Sequence, residues 1–473
     1  MGAQHTVING GESRGGFLGL SRFHVRLLWV AGLGWMFDAM DVGLVSFVLP
    51  TLSKSWNLSS LQGGLVASFT FIGMFAGAAL AGFLSDRFGR KNVFQWTLLV
   101  YALGTGLSAL AWDLPSLLAF RLVAGFGLGG ELPVASALVS EWSPSRVRGR
   151  MIVLLESFWA YGWILAALIG LALVPGLPLD RGWRVAFAIG ALPALYVLYL
   201  RRALPESPRF FVATGQLSQA KDALEEARRL AGDPAAVPTL ESFTRAVAAE
   251  TTAAARWRTL WSGLLARRTA MLWILWFGMV FSYYGIFTWL PSIFARDFPL
   301  VRALGYNVII TLAQVPGYFT AAWLVERAGR RVTLSSFLIG SAVGAFLFRN
   351  ASGALDLTVY GCIISFFALG AWGVIYTYTP ELYPTRIRGW GSGVAAAVGR
   401  LAGILGPYVT AALVGTPPGP EGVNVAFVMF TAIFVVIALD VLLLGEETRG
   451  RTLEEIAGAA PQEPLLKEAT AGG

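Results

Sequence analysis

The hexapeptide Asp86-Arg87-Phe88-Gly89-Arg90-Lys91 returns 240 residues later as Glu326-Arg327-Ala328-Gly329-Arg330-Arg331. At the same offset, Glu141-Trp142-Ser143-Pro144-Ser145-Arg146-Val147-Arg148-Gly149 returns as Glu381-Leu382-Tyr383-Pro384-Thr385-Arg386-Ile387-Arg388-Gly389. A third pair aligns Glu206 and Arg209 with Glu446 and Arg449. One matched motif can arise by chance, but three at one offset mean a duplicated unit. Long apolar stretches separate them. A doubled, mostly apolar chain with basic motifs at fixed intervals reads as a membrane transporter built from two parallel halves.

Composition agrees. The chain is 56% hydrophobic and 14% charged, with a mean hydropathy of +0.63, whereas soluble domains carry roughly 25% charged residues. Twelve apolar runs fall at approximately 27–50, 62–84, 92–112, 115–139, 150–174, 183–202, 269–294, 304–325, 332–349, 356–379, 390–415 and 423–444. Each is long enough to cross a hydrocarbon core. The expected fold is an all-α membrane protein of twelve transmembrane helices in two parallel six-helix halves. The expected divisions are an N-terminal tail (1–20), a first half (21–202), a linker with amphipathic helices (203–268), a second half (269–445) and a C-terminal tail (446–473). Residues 1–20 and 458–473 lack apolar periodicity and are expected to be disordered. No cleavable signal peptide is expected, because the first apolar run is a full span.

The net charge of +8 is topological and does not point to nucleic acid. Arg and Lys gather on alternate loops, at Arg87, Arg90 and Lys91, Arg146, Arg148 and Arg150, Arg201, Arg202 and Arg209, Arg327, Arg330 and Arg331, and Arg386 and Arg388. The intervening loops carry few, such as Lys54, Arg181 and Arg296. That asymmetry puts both termini and the basic loops in the cytoplasm of a multi-pass protein of the cell (inner) membrane. The single cysteine, Cys362, excludes an intrachain disulfide. No metal ligand set, catalytic residue set or phosphate-cradling loop is present, so no cofactor, enzymatic activity or ATP-driven transport is expected. The partners implied are a small organic ion, protons and the lipid bilayer. The chain is expected to act as a monomer.

The repeated motifs have a mechanical reading. Gly82 permits close helix approach and Gly89 a tight turn, while Asp86 and Arg87 can pair with charges on neighbouring helix ends. Gly82, Asp86, Arg87, Gly89, Arg90, Glu326, Arg327, Arg330, Glu141, Arg148, Glu381 and Arg388 form the expected gating set. The simpler alternative is a set of positive loops that only fix topology.

These motifs, over residues 25–456, resemble those of the major facilitator superfamily. Pro205-Glu206-Ser207-Pro208-Arg209, Pro380-Glu381-Leu382-Tyr383-Pro384-Thr385-Arg386 and Glu447-Thr448-Arg449-Gly450-Arg451-Thr452-Leu453-Glu454-Glu455 resemble its sugar-porter and organic-ion branch. The resemblance implies alternating access around a midplane site, with the two halves rocking.

Ionisable residues within spans each cost about 2.5–3.5 kcal/mol on insertion scales, so each is a functional candidate. They are Asp38, Asp41, Arg121, Glu131, Glu156 and Arg400. Asp38 and Asp41 stand three apart and share a helix face, where two nearby carboxylates cannot both ionise readily. Either they carry a proton, or each is held in a fixed salt bridge, for instance to Arg121. Asp38-Ala39-Met40-Asp41 resembles the paired-Asp motif of aromatic-acid:proton symporters, with Ala39 in place of the usual Gly. Arg121-Leu122-Val123-Ala124-Gly125-Phe126-Gly127-Leu128-Gly129-Gly130 resembles the span 4 motif of proton-coupled members. Arg121 can tune a neighbouring carboxylate or can snorkel outward as a structural residue.

Arg400 presents a planar fork suited to a carboxylate at mid-depth; alternatively it neutralises Glu131 or Glu156. In the organic-ion transporters the chain resembles, the matching position is acidic in cation carriers and basic in anion carriers, which implies an organic anion. Aromatic residues at Trp159, Tyr161, Trp163, Tyr283, Tyr284, Phe287, Trp372, Tyr376 and Tyr378 suit a flat ligand or simple packing. The segments Gly129-Gly130-Glu131-Leu132-Pro133-Val134-Ala135 and Leu155-Glu156-Ser157-Phe158-Trp159 resemble bacterial niacin transporters. The expected activity is therefore uptake of a small aromatic or heterocyclic carboxylate, nicotinate first, by proton symport. Substrate binding is assigned to Arg400, Glu131, Glu156, Trp159, Tyr283, Tyr284, Trp372 and Tyr376, and proton coupling to Asp38, Asp41, Arg121 and Glu131. The alternatives are an organic-cation or sugar carrier using Glu131 and Glu156, and a nutrient receptor that does not transport.

Overall fold

The computed structural model describes residues 20–143, 145–232, 237–248, 253–384, 387–416 and 418–449, without side chains at 132, 145–150, 201–202, 245–248 and 253–256. The expectations for the two tails beyond these limits, and for the side chain of Arg148, lie outside the described residues. No strand occurs among the described residues. The first half runs through α1 (Arg22–Trp56), α2 (Ser60–Phe88), α3 (Arg90–Ala109), α4 (Leu114–Trp142), α5 (Ser145–Leu173) and α6 (Leu179–Leu200). Four short helices follow: α7 (Pro208–Ala213), α8 (Leu217–Ala231), α9 (Leu240–Ala248) and α10 (Ala253–Leu260). The second half comprises α11 (Gly263–Asp297), α12 (Leu300–Ala328), α13 (Arg330–Arg349), α14 (Ala354–Glu381), α15 (Arg388–Val414) and α16 (Pro420–Leu444).

Eleven of these helices are long and apolar enough to cross a membrane. The exception is α3, which has the length, 20 residues, but not the apolarity. Its Gln95, Thr97, Thr105 and Ser108 are buried, and it packs against α4 and α6. These four polar residues therefore face protein, whereas Asn92 at the start of the helix is exposed. Among the short helices, α8 buries Ala220, Leu224 and Ala227, one face at helical spacing.

Close packing of α2 on α4 explains Gly125 and Gly129, and that of α3 explains Gly127. A Cβ on Gly125 would lie 2.0 Å from the Thr70 carbonyl oxygen, and one on Gly77 would lie 1.9 Å from that of Phe126. No residue larger than Gly allows this approach. The same contact seats Arg121 against α1.

The repeated motif builds one device in each half. Gly89 and Gly329 take φ of 90° and 91°, left-handed backbone that favours Gly. Just beyond, the Arg90 and Lys91 N–H groups donate to Glu206 at 2.8 and 3.2 Å, and those of Arg330 and Arg331 donate to Glu447 at 2.8 and 3.2 Å. Each carboxylate thus caps a helix N-terminus, where anions are stabilised. Arg90 reaches Glu141 at 3.5 Å and Arg330 reaches Glu381 at 3.1 Å. Ser207 donates to Glu141 and Thr448 to Glu381. The counterpart of Glu206 is therefore Glu447, one residue beyond the Glu446 that the constant offset selects. Glu446 instead pairs with Arg268 at 2.6 Å.

Two gating expectations need correction. Gly82 has nothing within 4 Å of a Cβ position, so it mediates no close helix approach here. Arg87 lies over the adjacent Phe88 ring at 5.5 Å and Arg327 over Trp323 at 4.2 Å, so neither guanidinium is placed to clasp a distant helix end. Asp86 pairs with Arg90, the first residue of α3, at 2.7 Å. Glu326 is exposed, and the Arg388 Nε donates to the Tyr383 carbonyl at 3.4 Å. Two of the hydrogen bonds that cross between the halves lie nearer the opposite ends of the helices. The Ser60 N–H donates to Thr416 Oγ1 at 2.7 Å, and the Ser68 hydroxyl donates to the Ile404 carbonyl at 2.7 Å.

Removing a helix-capping carboxylate costs about 0.5–2 kcal/mol. Glu447→Ala is expected to lower the detergent melting temperature as much as Glu206→Ala does. Retention of full stability by Glu447→Ala would contradict the equivalence of these two residues.

Candidate substrate and proton sites

Two groups of polar residues occupy the interior, and they do different things. The first is closed. Asp41 and Arg121 are both fully buried, with Arg121 Nη2 2.5 Å from Asp41 Oδ2. The Thr105 hydroxyl donates to Asp41 Oδ1 at 2.6 Å, and Arg121 Nε donates to Thr70 Oγ1 at 3.1 Å. The Phe187 ring lies 5.3 Å from the guanidinium. Arg121 therefore does not snorkel outward; it is the fixed partner of Asp41.

Asp38, one turn earlier, is left out of that network. Its carboxyl faces Glu131 of α4. Neither carboxyl has a donor from elsewhere in the protein among the described residues, although both are buried. A Cβ on Gly34 would stand 2.5 Å from Glu131 Oε1, so the absence of a side chain there lets the Glu131 carboxyl lie against α1. The sequence pairs Asp38 with Asp41; the structure gives Asp38 a different carboxylate as its nearest acidic partner and commits Asp41 to Arg121.

The second site is a cavity of about 60 Å³ between the halves. One water position needs roughly 10–15 Å³ of such space, so the volume holds a few waters and is on the scale of one small ring. Trp35, Phe71, Met74, Glu156 and Trp159 line it from the first half. Trp276, Val280, Tyr283, Tyr284, Tyr318, Trp372, Tyr376, Ala396 and Arg400 line it from the second. The walls are aromatic and interlocked. Trp35 and Trp159 have centroids 4.8 Å apart, and Trp276 and Tyr376 meet edge to face at 5.3 Å. Trp159 Nε1 donates to the Tyr283 hydroxyl at 3.2 Å, tying the two halves together.

Arg400 Nη2 donates to the Gly129 carbonyl at 3.3 Å, and its Nε has no partner. Among the described residues no ion pair links Arg400 to Glu131 or Glu156. Glu131 is not among the residues that line the cavity. Trp159, Tyr283, Tyr284, Trp372, Tyr376, Glu156 and Arg400 all reach the cavity. Tyr161 is 41% exposed, and the Tyr378 hydroxyl donates to the Glu446 carbonyl at 2.6 Å; neither is a wall residue. Trp163 and Phe287 pack behind Tyr283. The sequence reading did not single out Trp35 or Trp276. Trp35 stands three before Asp38 and Trp276 seven before Tyr283, helical spacings that carried the signal.

A duplicated bundle of membrane-spanning helices, holding an aromatic cavity with one cation between its halves, defines a membrane transporter. The chain belongs to the sugar (and other) transporter family of the major facilitator superfamily, whose family model matches residues 34–459; it is accordingly a transporter of small molecules and not an enzyme. It is 48% identical to the niacin transporter NiaP of Acinetobacter baylyi over 440 residues, covering 93% of this chain and 98% of that protein. It is 45% identical to the putative niacin/nicotinamide transporter NiaP of Bacillus subtilis over 431 residues, covering 91% and 98%. Among solved structures, the proton:xylose symporter XylE superimposes with a TM-score of 0.74 at 21% identity, covering 92% of this chain and 98% of that chain. A partially occluded inward-open form of XylE from E. coli gives 0.74 at 18% identity, covering 91% and 100%. At such identities these two establish the fold alone.

Proposed function

We propose that this transporter takes up nicotinate, or a close heteroaromatic carboxylate, by proton symport through the cell inner membrane. The observation that carries the reading is Arg400. A guanidinium with an unpartnered Nε reaches an aromatic cavity, and no protein carboxylate is paired with it among the described residues. A planar carboxylate completes the fork, and the ring lies among indoles and phenols. The NiaP relative named for niacin supports the same substrate, and the one named putatively for niacin or nicotinamide supports the same ring. The test is affinity: nicotinate binds the purified protein at least about tenfold more tightly than nicotinamide, whose amide carries no charge. Equal affinities would remove the anion reading.

The proton is assigned to the Asp38–Glu131 pair. Two carboxyl groups facing each other without another donor are held together by a shared proton and repel without one. Asp41 and Arg121 hold the neighbouring turn of α1 in place. Substrate and proton sites are thus adjacent and separate, and Arg400 bridges them through its bond to Gly129. The crowding of Arg and Lys on one face puts that face and both termini in the cytoplasm. A cysteine placed at the exposed Lys221 should resist an impermeant thiol reagent in intact cells, and its labelling would reverse the orientation.

A further inference from the structure

We propose that Glu156 reads the ring nitrogen of the ligand, so that the cavity selects small aromatic acids carrying a basic ring nitrogen over aromatic acids in general. The inference rests on the reading above, in which Arg400 takes the carboxylate. Glu156 is 1% exposed and lines the cavity, and its Oε1 has no hydrogen-bond partner. A buried carboxyl oxygen left idle is costly. Trp35 Nε1 is its neighbour, and no Lys, Arg or His forms an ion pair with it among the described residues. Arg400 reaches the same cavity from the other half. Tyr284 and Tyr376 are also on the wall. The cavity therefore offers a cationic fork, a carboxyl group and aromatic surfaces between them.

A ligand satisfying all three has a carboxylate, a flat ring and a ring atom able to share a proton. Benzoate fills the fork and the walls but leaves Glu156 idle. A pyridine carboxylate places a nitrogen lone pair where one proton is shared with Glu156, as O–H···N or as N–H⁺···O⁻. No covalent bond changes, and both forms hold the same single proton. An amide in place of the ligand carboxylate would satisfy Glu156 and fail at Arg400, so the two groups select different ends of the molecule.

The experiment compares dissociation constants of the full-length protein for nicotinate, benzoate, and the two isomers of nicotinate with nitrogen ortho or para to the carboxylate. Nicotinate should bind at least about tenfold more tightly than benzoate, since a hydrogen bond to a charged group contributes roughly that much. Glu156→Leu should collapse the ratio to within about twofold, chiefly by loss of nicotinate affinity. Glu156→Gln should keep most of the preference, because its amide N–H still donates to a ring nitrogen. A ratio near one in the unaltered protein, or a full preference in Glu156→Leu, overturns the inference. If Glu156→Leu does not fold, the isomers decide, because a fixed contact must discriminate nitrogen position. Equal affinity for all three pyridine carboxylates overturns it. If neither nicotinate nor benzoate binds, the carboxylate reading at Arg400 falls as well, whereas the nicotinate-to-benzoate ratio tests Glu156 alone.

Discussion

Asp38→Asn is expected to abolish accumulation of substrate driven by a pH gradient while leaving binding and substrate exchange in place. Asn cannot carry a proton, but it keeps the side-chain shape and can donate to Glu131. The variant should therefore fold, bind and exchange, and should equilibrate substrate without concentrating it. Asp41→Asn is predicted to behave differently. It removes the negative charge facing a fully buried guanidinium, and breaking a buried pair costs about 3–5 kcal/mol. Its first symptom should be lost stability. If Asp38→Asn still concentrates substrate along a pH gradient, the proton travels elsewhere and Glu131→Gln becomes the next variant to measure.

Arg400→Ala should weaken nicotinate binding by at least about tenfold. Charge-assisted hydrogen bonds contribute roughly 1.5–3 kcal/mol each, and the fork offers more than one. Arg400→Lys should recover only part of the loss, because an ammonium is a point charge and cannot match a planar carboxylate at two atoms. Nicotinamide affinity should respond little to either change, since it makes no ion pair. The comparison isolates charge recognition from general damage to the cavity. Isothermal titration with both ligands on both variants supplies the four numbers, and an unaltered nicotinate affinity in Arg400→Ala would falsify the assignment.

Most of the fold could be read from the sequence because its signals are local and repeated. Apolar runs of membrane-spanning length mark the spans, and the returning Gly-Arg turns at 89 and 329 mark the two halves. Two details escaped for physical reasons. The third repeat is out of step by one residue: a capping carboxylate must meet the N–H groups after Gly329, and Glu447 does so while the aligned Glu446 turns to Arg268. The buried polar residues of α3 lie on the face that packs against protein, while Trp96, Leu99 and Leu103 are exposed on the other, and mean hydropathy does not separate the two faces.

The site was legible as a list of residues and not as an arrangement. Spacing along α1 puts Asp38 and Asp41 on one face, but only packing decides which meets Arg121 and which meets Glu131. Gly34 leaves room for the Glu131 carboxyl against α1, and no side-chain pattern announces it. Similarly, Trp35 and Trp276 look like ordinary core aromatics until the two halves are brought together around Arg400. Glu131 has a depth suited to substrate contact, yet it is not among the residues that line the cavity and it faces Asp38.

Reconstituted vesicles loaded at neutral pH offer the most direct test of the central claim. With labelled nicotinate outside, an acidic external medium should drive accumulation above the external concentration. A protonophore should collapse it to equilibration, and Asp38→Asn vesicles should equilibrate whether or not the gradient is present. Accumulation that ignores the gradient and the protonophore, or no nicotinate entry beyond that of protein-free vesicles, would contradict the account.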